Sequence, residues 1–348
     1  MSLDQEVNAI RQSCALSRMD HAVYLRLSGP DAYEAADRIF PATLRLRDAQ
    51  IMLTLLLKED GTTLADVQLG REDDNFLLVA EGLSSDDLIA VVRERMPNGS
   101  QVDIDDISAS HDVLSLNGPY AWEVMSALTG PEIVGMPYGT IFRIRGWTCF
   151  RAGKTGEYGY DLIIPKDETP AVLAQIQEIG TKFELQEAGL AALDRCALEN
   201  WFFNIRREGS ANLTPLELQL QWRISYQKDY VGAEALRRRR AAGIKQRIAC
   251  IVSKAPLQTG ADLYYGGWLV GKIANADFAN LRNEWVAYGL IDARLSRPGI
   301  DGFTVGSASG PRARSVVPPV LNNRSLYVNP QRHSFRTRSE VTYPELLA

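Results

Sequence analysis

The sequence predicts an α+β chain built from several modules and ending in a small all-β barrel or sandwich, and three observations carry that reading. First, VYLRLSGPDAYEAADRI (23–39) and VLSLNGPYAWEVMSAL (113–128) both read as a strand, a Gly-Pro step and a helix with Ala two residues after the Pro. A unit met twice points to two related α+β modules rather than one continuous wound sheet. Second, a meander of antiparallel strands lies between the copies. Third, from Gln246 the pattern changes to short strands separated by turns.

Composition bounds the rest. The chain has 348 residues, 45% hydrophobic and 23% charged, enough for two or three domains with their own cores. A net charge of −5 gives no support to a general nucleic-acid or anionic-membrane role. Four scattered cysteines (Cys14, Cys149, Cys196, Cys250) and three histidines lack zinc, iron–sulfur or disulfide spacing, so no metal site is expected. No stretch approaches transmembrane length and no apolar run follows Met1, which predicts a soluble cytoplasmic protein.

Taken in order, Val7, Ile10 and Cys14 fall at helical spacing, with Asp4 and Glu6 in the first turn. HAVYLRL alternates as a strand, and Pro30 suits the start of the helix after it. Ile51–Leu57 and Thr63–Leu69 flank a hairpin turn at Glu59-Asp60-Gly61. In TTLADVQL, Ala65, Val67 and Leu69 form one face and Leu64, Asp66 and Gln68 the other, so on pattern alone Asp66 is a solvated strand acid. A strand at Phe76–Val79, a helix at Asp86–Arg95 and a strand at Val102–Ile107 follow. Strands 140–145 and 148–151 turn at Gly146-Trp147. A helix is expected at 168–179, then another through LQEAGLAALDRCALENWFF with Ala188, Ala191, Ala192, Cys196 and Leu198 inward. Leu216 and Trp222 read as core, and Arg237–Arg240 as the solvated end of a helix.

The stretch RAGKTGEYGYDLII (151–164) packs a glycine-rich turn, two cations and two carboxylates into the entry of one strand. Tyr158, Tyr160, Leu162 and Ile164 share one face. Gly159, Asp161 and Ile163 share the other, with the glycine leaving room for a flat ligand beside the acid. Read alone, this is also ordinary turn chemistry before a strand.

The stretch resembles the TGE-x-GYE signature of the glycine cleavage T-protein (aminomethyltransferase) family, with Asp161 where that family has Glu and Lys154 where it has Tyr. Asp66 matches the second acid of the family's GG-x-x-DD pattern, and Ala65 stands at the first. LQEAGLAALDRCALE resembles the GLGARD-x-x-RLE helix, with Leu193 and Ala197 in place of its two arginines. Lys228-Asp229-Tyr230-Val231-Gly232 and Gln5–Arg11 match two further family segments.

The resemblance implies a three-domain cloverleaf. Residues 1–48 with 138–240 would form a folate-lining α+β domain, 49–137 a second α+β domain, 241–320 a β-barrel and 321–348 an extended tail. It further implies a tetrahydrofolate-dependent one-carbon transferase, and the absent arginines favour a catabolic demethylase over the standard glycine cleavage enzyme. Asp66 would tune a folate nitrogen's protonation as the catalytic group. Asp161, Glu157, Lys154, Arg151 and Tyr160 would contact the cofactor, with Asp161 reaching about 1.5 Å less far than Glu. The implied partners are a small-molecule one-carbon donor and a protein that carries or generates the one-carbon unit. Two alternatives belong to the same superfamily. One is an iron–sulfur assembly protein, although NWFFNIRREGS lacks that branch's cysteine. The other is the folate domain of a sarcosine- or dimethylglycine-type oxidase, which needs a flavoprotein partner because no GxGxxG is present.

Overall fold

Both strand–Gly-Pro–helix units form as read, and each is built into a different sheet. Val23–Ser28 leads into the helix Ala32–Ile39, and His111–Asn117 leads into the helix Ala121–Thr129. The computed structural model describes residues 1–344. Val23–Ser28 pairs with Asn75–Glu81 and Asp103–Asp106 in a five-stranded sheet completed by Ile51–Leu57 and Thr63–Glu72. His111–Asn117 pairs with Ala15–Arg18 and Gly159–Pro165 in a six-stranded sheet that continues through Trp147–Arg151 and Thr140–Ile144.

Sheet membership therefore does not follow the partition at residues 48 and 137. Val23–Ser28 belongs with the meander, and His111–Asn117 with the glycine-rich strand, because each closes an antiparallel ladder whose other strands come from that part of the chain.

Each sheet buries its outer face under its own helices. Leu25, Leu27 and Val67 pack on Ala35, Ile39, Leu88 and Val92; Leu114, Leu116 and Leu162 pack on Val124, Met125 and Ile176. The two inner faces meet each other, with Tyr24, Leu77 and Val79 against Val113, Phe150 and Ile163. Polar residues at one end of that seam therefore face a second sheet rather than water.

Residues 246–315 form a closed six-stranded barrel in the order 246–253, 284–292, 268–279, 262–265, 301–305, 312–315. Its outer surface packs Ile248, Cys250, Val286 and Tyr288 on Leu55, Leu57, Phe203 and Leu216. The tail clasps the body: Val328, Phe335 and Val341 cover Tyr120, and residues 345–348 lie outside the described residues. Three local readings are corrected. Trp222 is 62% exposed because its side chain lies outward on a 3₁₀ turn at Gln221–Arg223. The inner helix is shorter, Leu190–Glu199, and Ala191 faces solvent. The hairpin before Trp147 turns on Arg145-Gly146, both at positive φ. Among the described residues no helix is long and apolar enough to cross a membrane.

Candidate functional site

At one end of the seam the two sheets contribute facing rows of polar side chains. In the six-stranded sheet Asp161 lies directly opposite Ser115, and in the other Asp66 lies directly opposite Glu81. Like charges in opposed cross-strand positions repel, so the pair Asp66/Glu81 needs a cation. The glycine-rich turn supplies it: Lys154 Nζ lies 2.7 Å from Asp66 Oδ2 and 2.5 Å from Glu81 Oε1. Gly156 takes φ +79°, and a Cβ there would strike the Asn200 and Asn323 side chains, so glycine is required for the turn to seat. A Cβ at Gly159 would strike the Ala152 carbonyl oxygen. That glycine therefore admits backbone, and the room for a flat ligand expected there does not exist.

The third wall is the helix Leu190–Glu199 and the loop after it. Arg206 NH2 lies 2.7 Å from Asp194 Oδ1 and 3.2 Å from Glu81 Oε2. The buried Glu208 carboxylate accepts from the Asn204 amide at 2.7 Å and from Asn275 Nδ2 at 3.0 Å, tying this loop to the barrel; burial pushes it up to about 7. Between the walls is a slit lined by Met19, Val79, Leu190 and Leu193 on its apolar side and by Asp161, Lys154 and Arg206 on its polar side. Only ≈ 40 Å³ of it admits the centre of a water-sized sphere, so the slit is narrow and suited to a flat or slender group.

Asp161 is the acid left available. Its Oδ1 accepts from Ser115 Oγ, which accepts from Asn117 Nδ2 at 2.8 Å, and Asn117 Oδ1 accepts from Thr155 Oγ1 at 3.1 Å. Its Oδ2 has no partner among the described residues. Burial raises its carboxyl to about 6, partly offset by the Ser115 hydrogen bond. A carboxyl held there changes charge near neutrality and can accept hydrogen bonds or exchange a proton. The Glu81 carboxyl is opposite in behaviour: burial pushes it up, but Lys154 and Arg206 outweigh burial and hold it at about 2. His21 Nε2 is 3.8 Å from Glu81, and burial lowers the imidazole below its usual range.

Of the residues marked in the sequence, the structure brings Asp161, Lys154 and Asp66 together and turns the others away. Asp66 is buried, not solvated, and both its oxygens are taken, one by Lys154 and the other by Arg223 NH1 at 2.5 Å. It stands behind the lysine rather than on the slit. Glu157 faces the tail, accepting from the Ser325 amide at 2.8 Å, Ser325 Oγ at 2.6 Å and the Arg324 amide at 3.1 Å. Arg151 donates to the Gly159 carbonyl at 3.0 Å and lies between the rings of Tyr158 and Tyr160, at 5.0 and 4.6 Å. Tyr160 is packed in the outer core of its sheet. None of these three lines the slit.

The sequence did not single out Glu81, Asp194, Arg206, Ser115 or Asn117. The period-two pattern carried a signal for two of them, since Ser115 and Asn117 alternate with Leu114 and Leu116 in the second copy of the repeat.

Comparison with known proteins agrees with the fold. An aminomethyltransferase of Corynebacterium aurimucosum is 27% identical over 302 residues, spanning 83% of this chain and 81% of the relative. One from Desulfitobacterium hafniense is 24% identical over 329 residues, spanning 92% and 90%. The crystal structure of the glycine cleavage system aminomethyltransferase T from Bartonella henselae superposes with a TM-score of 0.81 at 22% identity, covering 92% of this chain and 90% of that one. The family model described as the GCVT N-terminal domain matches residues 1–228, more than half of the sequence, and the chain belongs to the glycine cleavage T-protein family.

Proposed function

We propose that this protein transfers a one-carbon unit from a small methyl donor to tetrahydrofolate, as a demethylase rather than as the glycine cleavage enzyme. The observation that carries the proposal is Asp161, a buried carboxylate with one unpartnered oxygen, set in the strand that resembles the family's pterin-lining segment. The chemistry of the lining suits the group: an acceptor for pterin N–H donors stands among the apolar side chains of Leu190, Leu193, Met19 and Val79. Tetrahydrofolate, when bound, supplies the N5 nitrogen that takes the carbon. The chain's own work is to orient and to exclude water. Asp161 fixes the ring through charge-assisted hydrogen bonds, and the Ser115–Asn117–Thr155 chain fixes Asp161. Asp66 acts by holding Lys154 at the slit and does not exchange a proton itself.

Two features favour demethylation. Leu193 and Ala197 face the slit where the family pattern has arginines, and a lysine covers the family's catalytic acid. The donor is then a small molecule that enters the slit, and no carrier protein is required to present it.

Calorimetric titration with tetrahydrofolate at pH 7.5 tests the proposal. Micromolar binding is expected for the wild type, weakened by roughly ten- to a hundredfold in Asp161→Asn, the value of hydrogen bonds to a charged group. Absence of binding to the wild type overturns it.

A further inference from the structure

The two copies of the strand–Gly-Pro–helix unit differ in charge at one position. Aligned on their Gly-Pro steps, Arg26 falls where Ser115 stands in the second copy, and Leu27 where Leu116 stands. The neighbouring strands keep the same register. Leu27 lies opposite Phe76 as Leu116 lies opposite Tyr160, and Arg26 lies opposite Leu77 as Ser115 lies opposite Asp161. The counterpart of the pair that holds the slit's acid is therefore Arg26 with Leu77, a cation in place of the carboxylate. The slit takes Ser115, Asn117 and Glu81 from these strands, whereas the other end of the seam takes His111 and Leu77.

That other end has a hollow of its own. Arg26, Arg143 and His111 line it together with Leu77, Ile107 and Ile163, and ≈ 130 Å³ of it admits the centre of a water-sized sphere, against ≈ 40 Å³ in the slit. Among the described residues no carboxylate lines it. Glu72 stands beside it and is engaged by Arg143, which donates to it through Nε and, at 2.7 Å, through Nη2. Arg26 Nη2 lies 3.9 Å from the same carboxylate, too far for a hydrogen bond. Arg26 makes no hydrogen bond among the described residues, although its side chain is only 31% exposed and its Nε is buried. Asp105, its directly opposed neighbour on the strand Asp103–Asp106, is exposed and forms no ion pair with it. His111 Nδ1 lies 2.8 Å from Ser110 Oγ, and Nε2 has no partner among the described residues.

An arginine that crosses apolar surface ordinarily carries its head out to water. Arg26 instead keeps donors under cover with no acceptor, and a covered cation without a bonded counter-charge is costly. A planar oxyanion removes that cost, because it matches the fork of a guanidinium with two parallel hydrogen bonds. We propose that this hollow binds a small organic carboxylate, its oxygens received by Arg26 and Arg143 and its apolar body resting on Leu77, Ile107 and Ile163. The apolar half of the lining selects an organic acid over inorganic phosphate, which has no surface to bury there. The site uses none of the residues that line the slit.

The test titrates three probes calorimetrically into the full-length protein: benzoate, its uncharged analogue benzamide, and inorganic phosphate. The wild type is expected to prefer benzoate to benzamide by about ten- to a hundredfold, the value of hydrogen bonds between charged groups. Arg26→Leu should abolish that preference, and Lys154→Met, which alters the slit alone, should keep it. In buffer without probe, Arg26→Leu should unfold at a urea concentration no lower than the wild type, since the guanidinium gives up no hydrogen bond. Equal binding of benzoate and benzamide by the wild type overturns the proposal, and that comparison stands whatever the variants do. So does a preference that survives in folded Arg26→Leu or is lost in folded Lys154→Met, either of which puts the anion elsewhere. Phosphate binding as tight as benzoate removes the organic acid as the ligand class. A marked loss of stability in Arg26→Leu without probe makes Arg26 part of the scaffold and counts against the site.

Discussion

Arg11→Met is expected to destabilise the protein by about 3–5 kcal/mol, the cost of leaving buried charge uncompensated. Arg11 is 1% exposed although it lies on the first helix, and it joins four separate segments. It pairs with Glu199 at 2.6 Å and Glu157 at 3.4 Å, and it donates to the Thr155 carbonyl at 2.5 Å and to Asn323 Oδ1 at 3.1 Å. Glu157 retains its donors from Arg324 and Ser325 when the arginine is lost. Glu199 has no other ion-pair partner among the described residues, and burial already raises its carboxyl against the pull of Arg11. Without the guanidinium that carboxyl rises further above its value in the unfolded chain. An acid raised on folding is comfortable when protonated and loses stability as pH climbs through its folded-state value. The gap between wild type and variant should therefore widen from pH 5 to pH 8. Urea denaturation at the two values measures it, and a gap below about 1 kcal/mol at pH 8 would mean that Glu199 is relieved by another route.

The residues that sequence pattern located well are those whose environment is set by their own strand. Asp161 alternates away from Tyr160 and Leu162 and lands on the inner face as read, and the two Gly-Pro units fold alike. Failures occurred where a partner lies far along the chain. On pattern alone Asp66 reads as solvated, because nothing in TTLADVQL announces a second sheet across that face, nor Lys154 and Arg223, 88 and 157 residues away. Glu157 sits in a motif suited to a ligand, yet its partners come from a tail 167 and 168 residues downstream. Arg206 and Asp194 gain their meaning only when the loop after the inner helix folds back onto Glu81. Sheet membership crosses the expected partition for the same physical reason. Strand order within a sheet depends on which ladders close, and two similar strand–helix units carry no local mark of which sheet will take them.

Asp161→Asn should make the protein more stable at pH 8 while weakening its hold on tetrahydrofolate. The wild-type carboxyl is raised to about 6 in the fold, chiefly by burial. Relative to an unfolded value near 3.9, that difference costs the folded protein about 3 kcal/mol once the group is fully ionised. The sign follows from the direction of the change. With the folded value above the unfolded one, the contribution is fully present below about pH 3.9 and is lost as pH rises through about 6. Asparagine has no charge to desolvate, and its carbonyl oxygen can still accept from Ser115 Oγ. The variant should thus gain up to about 3 kcal/mol over the wild type at pH 8 and almost nothing at pH 4, read from urea unfolding at both values. A purely structural carboxylate would give the opposite result, with the substitution costing stability at pH 8. The ionised acid persists in a place where the fold alone would be better off without it, and a group so placed is one whose charge has a use when the slit is filled. If the variant proves less stable at pH 8, Asp161 belongs to the scaffold and the pterin site must be sought elsewhere on the seam.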